Sequence, residues 1–199
     1  MRPKTLLVLV ALAVALLVSA PQTFAQNLVQ NGSFETGDFT DWTTTGNFEF
    51  TQVTSGAFYV YTGAQDGNFY VTAGPVGSLG GFGQSFADTA GAQYTFSFYL
   101  NAVGDDPSEF VAYWDGTPVL DLSDPNTGGT WTLESFTETG SGSDSIAFGF
   151  RDDPGYIALD NVSVSSSSGT STTPEPSSFL LMGSGVLALG GMIRRKMTR

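Results

Sequence analysis

The strongest constraint on the fold is a period of two. In residues 94–100 the side chains of Tyr94, Phe96, Phe98 and Leu100 share one side of an extended chain, and Thr95, Ser97 and Tyr99 take the other. That is the pattern of a strand with one face buried. The same alternation returns in Phe110, Ala112 and Trp114 against Val111 and Tyr113, followed at once by Asp115-Gly116. Both residues of that pair tolerate positive φ, so a tight hairpin is predicted, with the return strand starting at Val119 and Leu120. Further runs at 48–54, 57–62, 68–72, 83–86, 131–137, 145–150 and 156–164 read as strands. No stretch in this region sustains i, i+3, i+4 apolar spacing behind a capping residue. The expectation is an all-β domain, a β-sandwich (jelly roll) of about eight to ten antiparallel strands.

Composition narrows the chemistry. The 199 residues contain no Cys and no His, which removes Ser-His-Asp and Cys-His nucleophiles, disulfides and zinc clusters. At 41% hydrophobic and 13% charged, with 25 Gly and 9 Pro, the chain is too apolar for disorder and rich in turn formers.

The two ends read as addresses. Arg2 and Lys4 precede a small and apolar run over 6–18, and Thr23 and Ala25 suit the pocket of signal peptidase. Residues 1–25 are therefore predicted to be a signal peptide, starting as a helix, with Gln26 as the mature N-terminus. Thirteen residues of helix reach about 20 Å, short of a hydrocarbon core of about 30 Å. At the other end a Ser/Thr/Gly-rich linker (165–173) leads to Pro174-Glu175-Pro176, an uncharged segment (177–193) and a basic tail (194–199) with Arg194, Arg195 and Lys196. Seventeen residues of helix span about 26 Å, enough for a single transmembrane helix with its basic end in the cytoplasm.

This order of parts resembles the PEP-CTERM sorting signal over residues 174–199. The resemblance implies an exosortase as partner, passage through the inner membrane, and delivery to the cell surface or extracellular matrix of an exopolysaccharide-producing bacterium.

Between the signals, residues 26–164 carry 18 acidic side chains and a single base, Arg151, for a formal charge of −17. With almost no cation to displace counterions, nucleic acid is excluded as a partner. The segment Asn27-Leu28-Val29-Gln30-Asn31-Gly32-Ser33-Phe34-Glu35 and the closing Leu159-Asp160-Asn161-Val162 resemble the first and last strands of jelly rolls of the carbohydrate-binding-module and galactose-binding type. That resemblance implies adjacent first and last strands and a structural Ca2+ near Glu35 and Asp160. The bland alternative is that Asp160 caps a turn while Glu35 faces water.

Sugar-binding surfaces pair exposed aromatic faces with polar groups. Tyr59 and Tyr61, two apart on one predicted strand face, are candidates for such a platform, as are Tyr99, Tyr113 and Trp114; Trp42 and Trp131 read as core. Each tyrosine also has a plain structural role open to it, since two-sheet domains bury most large aromatics. A glycosidase needs only two carboxylates, but the acids here fall mostly in turns such as Asp66-Gly67, Asp124-Pro125 and Asp152-Asp153-Pro154. The sequence therefore favours a non-catalytic, exported protein that contacts exopolysaccharide or another glycan. A ligand-free structural matrix protein is the alternative, and a glycoside hydrolase the third reading.

Overall fold

The computed structural model describes residues 26–167. The predicted signal peptide, most of the linker, the sorting motif and the predicted transmembrane helix lie outside the described residues. Among the described residues no helix is long and apolar enough to cross a membrane.

Ten strands form two five-stranded sheets. In chain order they are β1 (Thr43–Gly46), β2 (Thr51–Ser55), β3 (Phe69–Ala73), β4 (Gly80–Ala87), β5 (Gln93–Asn101), β6 (Ser108–Trp114), β7 (Thr117–Ser123), β8 (Thr132–Thr139), β9 (Ser143–Asp152) and β10 (Ile157–Ser166). The first sheet runs β1-β4-β9-β6-β7 and the second β2-β3-β10-β5-β8, with every pairing antiparallel. This is the jelly-roll sandwich expected from the alternation.

The predicted hairpin is present. Asp115 (φ 48°) and Gly116 (φ 72°) both adopt positive φ and join β6 to β7. The interior is aromatic because the alternating faces place a phenylalanine at nearly every inward position. Phe110 and Phe148 of the first sheet meet Phe96 and Phe98 of the second, with Phe82 and Phe150 packed beside Phe148, and Phe98 stands edge-on to Phe148 with centroids 5.1 Å apart. Such pairs add about 0.5–1.5 kcal/mol each beyond simple burial.

Three local features depart from the expected strand pattern. Residues 57–62 form a turn with one Phe58–Tyr61 bridge, not a strand. β1 is a strand that the sequence conceals, since all four of its residues are exposed and polar or glycine. The closing strand changes parity: Ile157 and Leu159 face the core, then a bulge between Asp160 and Ser163, with Asn161 at φ 51°, turns Val162 and Val164 inward instead. One extra residue re-aims everything after it. The opening segment forms turns and not the expected strand, and β1 lies in the other sheet; the segment still meets β10 through Leu28 N–H to the Val164 carbonyl (2.8 Å), Val162 N–H to the Gly32 carbonyl (2.8 Å) and Val164 N–H to Asn27 Oδ1 (2.9 Å).

Candidate functional site

The two sheets treat their outer faces differently. On the second sheet, the 56–68 loop folds back over β3 and β10. Tyr61, Tyr70 and Ala158 become a second buried cluster, with Phe58, Ala64, Val103, Trp131 and Tyr156 packed against it. Tyr61 is 2% exposed and its hydroxyl donates to the Tyr156 carbonyl. Burial pushes that phenol above its ordinary range, with the Asp152 and Asp105 charges adding to the effect. Tyr61 therefore serves as packing: its ring meets Tyr59 edge-on, with centroids 6.1 Å apart, but only Tyr59, 51% exposed in the turn, is open to a ligand. The apolar spacing that suggested a strand is used to clamp a loop. Tyr99 is half-buried on the same sheet, between Asp160 and Leu133 in the ladder.

The outer face of the first sheet is closed over Val111, which is 2% exposed, and accessible beside the half-buried Tyr113. Tyr113 projects from β6 opposite Ala147 of β9, while its neighbour Trp114 turns inward at 6% exposure against Phe86 and Phe96. Trp114 is thus core and offers no ring to a ligand. Beside Tyr113 lies a groove of ≈160 Å³ bounded by Thr45, Leu79, Tyr113, Ala147 and the backbone of Gly80, Gly81 and Gly149. Gly149 makes the floor: a Cβ there would meet Leu79 Cδ2 at 3.6 Å and Tyr113 Cε2 at 3.7 Å, so hydrogen at this position leaves the space between the two side chains free. Gly81 is glycine for another reason, since a Cβ would lie 1.8 Å from the Phe148 carbonyl oxygen of the next strand. An aromatic wall, an apolar wall and a floor of peptide groups suit the flat face of a pyranose.

A larger hollow, ≈360 Å³, lies between Gln30, Asp41, Gln84 and Phe86. The Gln84 amide in it is already engaged: Nε2 donates to the Gln30 and Asp41 carbonyls (3.0 and 2.9 Å), and Oε1 accepts from Gln30 N–H (2.7 Å). No exposed ring lines it. We regard the Tyr113 groove as the better ligand surface.

Glu35 and Asp160, the expected calcium ligands, close on one segment, residues 65–69. Glu35 Oε1 accepts from Asn68 and Phe69 N–H (2.8 and 2.9 Å). Asp160 Oδ2 accepts from Gln65 and Asp66 N–H (2.8 and 3.0 Å), and Oδ1 from Asn161 N–H (2.6 Å). The Phe69 N–H holds the Glu35 carboxyl below its usual range. Burial raises Asp160 to about 6 despite its three donors. Plain alternation puts Asp160 here, on the loop side of β10 with Ala158 and ahead of the bulge. Among the described residues no three Asp, Glu, His or Cys side chains converge as a metal site. A calcium at Glu35 and Asp160 would need backbone carbonyls for the rest of its shell, which is ordinary calcium chemistry.

Sequence reasoning missed Leu79, Gly149, Asp105 and Tyr156. Leu79 and Gly149 carry no motif: they matter only because the β4–β9 register brings them beside Tyr113. The sorting residues Pro174, Glu175, Pro176, Arg194, Arg195 and Lys196 lie outside the described residues.

Residues 172–196 match the PEP-CTERM protein-sorting motif. Comparison with curated protein sequences finds no match. Among solved structures, the chain resembles the carbohydrate-binding module TmCBM61 in complex with β-1,4-galactotriose, with a TM-score of 0.57 and 17% identity over 71% of this chain and 99% of that one. It also resembles the CBM22-1 xylan-binding domain of Paenibacillus barcinonensis Xyn10C (TM-score 0.50, 16% identity, 74% and 97% coverage). A third similar structure is the enzymatically active domain of tailspike protein 4 of bacteriophage CBA120 (TM-score 0.52, 21% identity), where the match spans 70% of this chain but 21% of that one. These likenesses establish the shared jelly-roll fold.

Proposed function

We propose that this is an exported, surface-sorted protein that binds a glycan without cleaving it, through the outer face of its first sheet. The sorting motif marks the chain for export and surface sorting, and the carbohydrate-binding modules that share its fold support a glycan as ligand. The carrying observation is the Gly149 floor between Tyr113 and Leu79, a cleft with an aromatic wall on the outer face of the first sheet. A polymer can run across such an open groove, which favours exopolysaccharide over a small free sugar. Binding rather than hydrolysis is supported by the acids themselves: Thr45, Leu79, Tyr113, Ala147 and Gly149 line the cleft, and no carboxylate does.

Affinity electrophoresis of the full-length protein through gels containing neutral polysaccharide tests this. Retardation that disappears in Tyr113→Ala supports the groove. A protein that no polysaccharide retards is a structural matrix component instead.

Processing by an exosortase belongs to the same proposal. Replacing Pro174, Glu175 and Pro176 by alanine is expected to leave the protein uncleaved in the inner membrane, and normal release of that variant would refute it. A structural Ca2+ near Glu35 and Asp160 belongs to the same proposal and rests on the two carboxylates closing on one segment, residues 65–69, whose N–H groups they accept from.

A further inference from the structure

A second surface lies at one end of the sandwich, where the 57–62 turn, the β5–β6 connection and the β9–β10 turn come together. Tyr59 presents a half-exposed ring there, tilted over Tyr156 with centroids 5.6 Å apart, and Val60 beside it is 51% exposed. The Tyr59 hydroxyl donates to Asp105 Oδ2 at 3.1 Å. Asp152 stands next to Asp105: a Cβ on Gly155 would touch both, Asp105 Oδ2 at 1.8 Å and Asp152 Oδ1 at 2.9 Å.

The charge balance at this end is unusual. Asp152 is 2% exposed and, among the described residues, its carboxylate takes one hydrogen bond, from Gly155 N–H to Oδ1 (3.1 Å). Arg151, the single base of the domain, is occupied by Asp153 at 2.6 Å. Two adjacent carboxylates therefore lie at the hydroxyl edge of an exposed aromatic ring with no cation of the domain to offset them. Burial, and then the charges of Asp105, Asp153 and Asp124, push Asp152 up to about 6. Carboxylates at the edge of an exposed ring are complementary to a ligand that carries both a flat face and a cationic group, the first stacking on the ring and the second bonding the carboxylate.

We propose that this end is a second binding site, taking a sugar that carries a protonated amine: the sugar face lies on Tyr59 and Tyr156 and the ammonium sits at Asp105, with the Asp152 charge behind it. A bare metal ion fits less well. It would leave the rings without a role, and no three acidic side chains converge as a metal site among the described residues. This proposal goes beyond the groove reading and shares with it only the premise that the ligand is a glycan.

Titration calorimetry of the full-length protein near neutral pH tests it, using the glucosamine trimer against the N-acetylglucosamine trimer. The amine trimer is expected to bind about tenfold more tightly, the margin of a charge-assisted over a neutral hydrogen bond. The preference should vanish in Asp105→Asn, and binding should be lost in Tyr59→Ala but kept in Tyr113→Ala. Tyr59→Phe, which keeps the ring and removes the hydroxyl, should still bind and so guards against a misfolded Tyr59→Ala. Equal affinity for the two trimers, no binding of the amine trimer, or a preference that survives Asp105→Asn would overturn the proposal. So would displacement of the amine trimer by calcium chloride that Asp105→Asn prevents. Because Tyr113→Ala leaves this site intact, failure here and failure of the groove are read separately.

Discussion

The outer faces of β3, in the second sheet, and β9, in the first, start from the same architecture and end in different states. On the second sheet, β3 is buried on both sides: Val71 and Ala73 face the main core while Tyr70 and Thr72 lie under the 56–68 loop. On the first sheet, β9 faces the main core with Ile146, Phe148 and Phe150, and its other face carries Ala147 and Gly149. Large side chains on an outer face recruit a loop and become a second core. Small ones beside a single tyrosine leave a surface that has something to bind. The difference is one of residue size at alternate positions, and it predicts that mutations on the two faces separate stability from binding.

The largest effect belongs to the covered face. Tyr70→Ala, at 0% exposure, should destabilise the fold by about 3–5 kcal/mol in urea unfolding, the cost of removing a buried aromatic. If Tyr113→Ala on the outer face of the first sheet costs as much, the contrast between the faces is broken.

Asp152 sharpens the comparison at the end where the 57–62 turn meets the first sheet. Its pKa is raised from 3.8 to about 6, so the neutral form is favoured in the fold. The stability it contributes is complete below 3.8 and is lost as pH rises through about 6. Asp152→Asn should therefore stabilise the protein at pH 7 by up to about 3 kcal/mol and have little effect at low pH. Thermal melts of both proteins across this range check it, and a variant that loses stability at neutral pH contradicts the assigned direction.

Calcium comes next. A cation at Glu35 and Asp160 would pin the loop that covers the second sheet, and at a hundredfold excess over Kd it would add about 2.7 kcal/mol. EDTA should then lower the melting temperature of calcium-loaded protein, and Glu35→Gln should abolish the difference. An unchanged melt in EDTA removes the metal from the account.

The smallest stability effect should accompany the clearest loss of binding. Gly149→Ala places its methyl group in ordinary contact with Leu79 and Tyr113, so stability should stay within about 0.5 kcal/mol while the floor of the groove is filled. Calorimetric melts and affinity gels on the same preparation measure both. Retained binding would mean the glycan lies elsewhere.

How far the sequence reveals these faces depends on the range of the interactions involved. The Asp115-Gly116 hairpin and the inward phenylalanines of β5 are legible because turn chemistry and pleat are local. β1 is hidden, since Thr43-Thr44-Thr45-Gly46 has no buried side to betray it. Residues 57–62 read as a strand because Phe58 and Val60 alternate with Tyr59 and Tyr61, although Phe58 and Tyr61 find their partner in Tyr156 and a folded-back chain, not a ladder. The parity change at Asn161 is visible only once β5 fixes the register on both sides of the bulge. Tyr113 could be named in advance as an outward ring. Gly149 could not, because a glycine within a strand signals weakness or close approach, and only the neighbouring strands decide that here it is a floor.

The most direct test is amide hydrogen exchange of the full-length protein with and without a neutral polysaccharide that retards it. Protection is predicted in β4, β6 and β9 around Tyr113 and Gly149, with the 56–68 loop unchanged. Protection confined to that loop, or to the second sheet, would contradict the assignment of the ligand to the outer face of the first sheet.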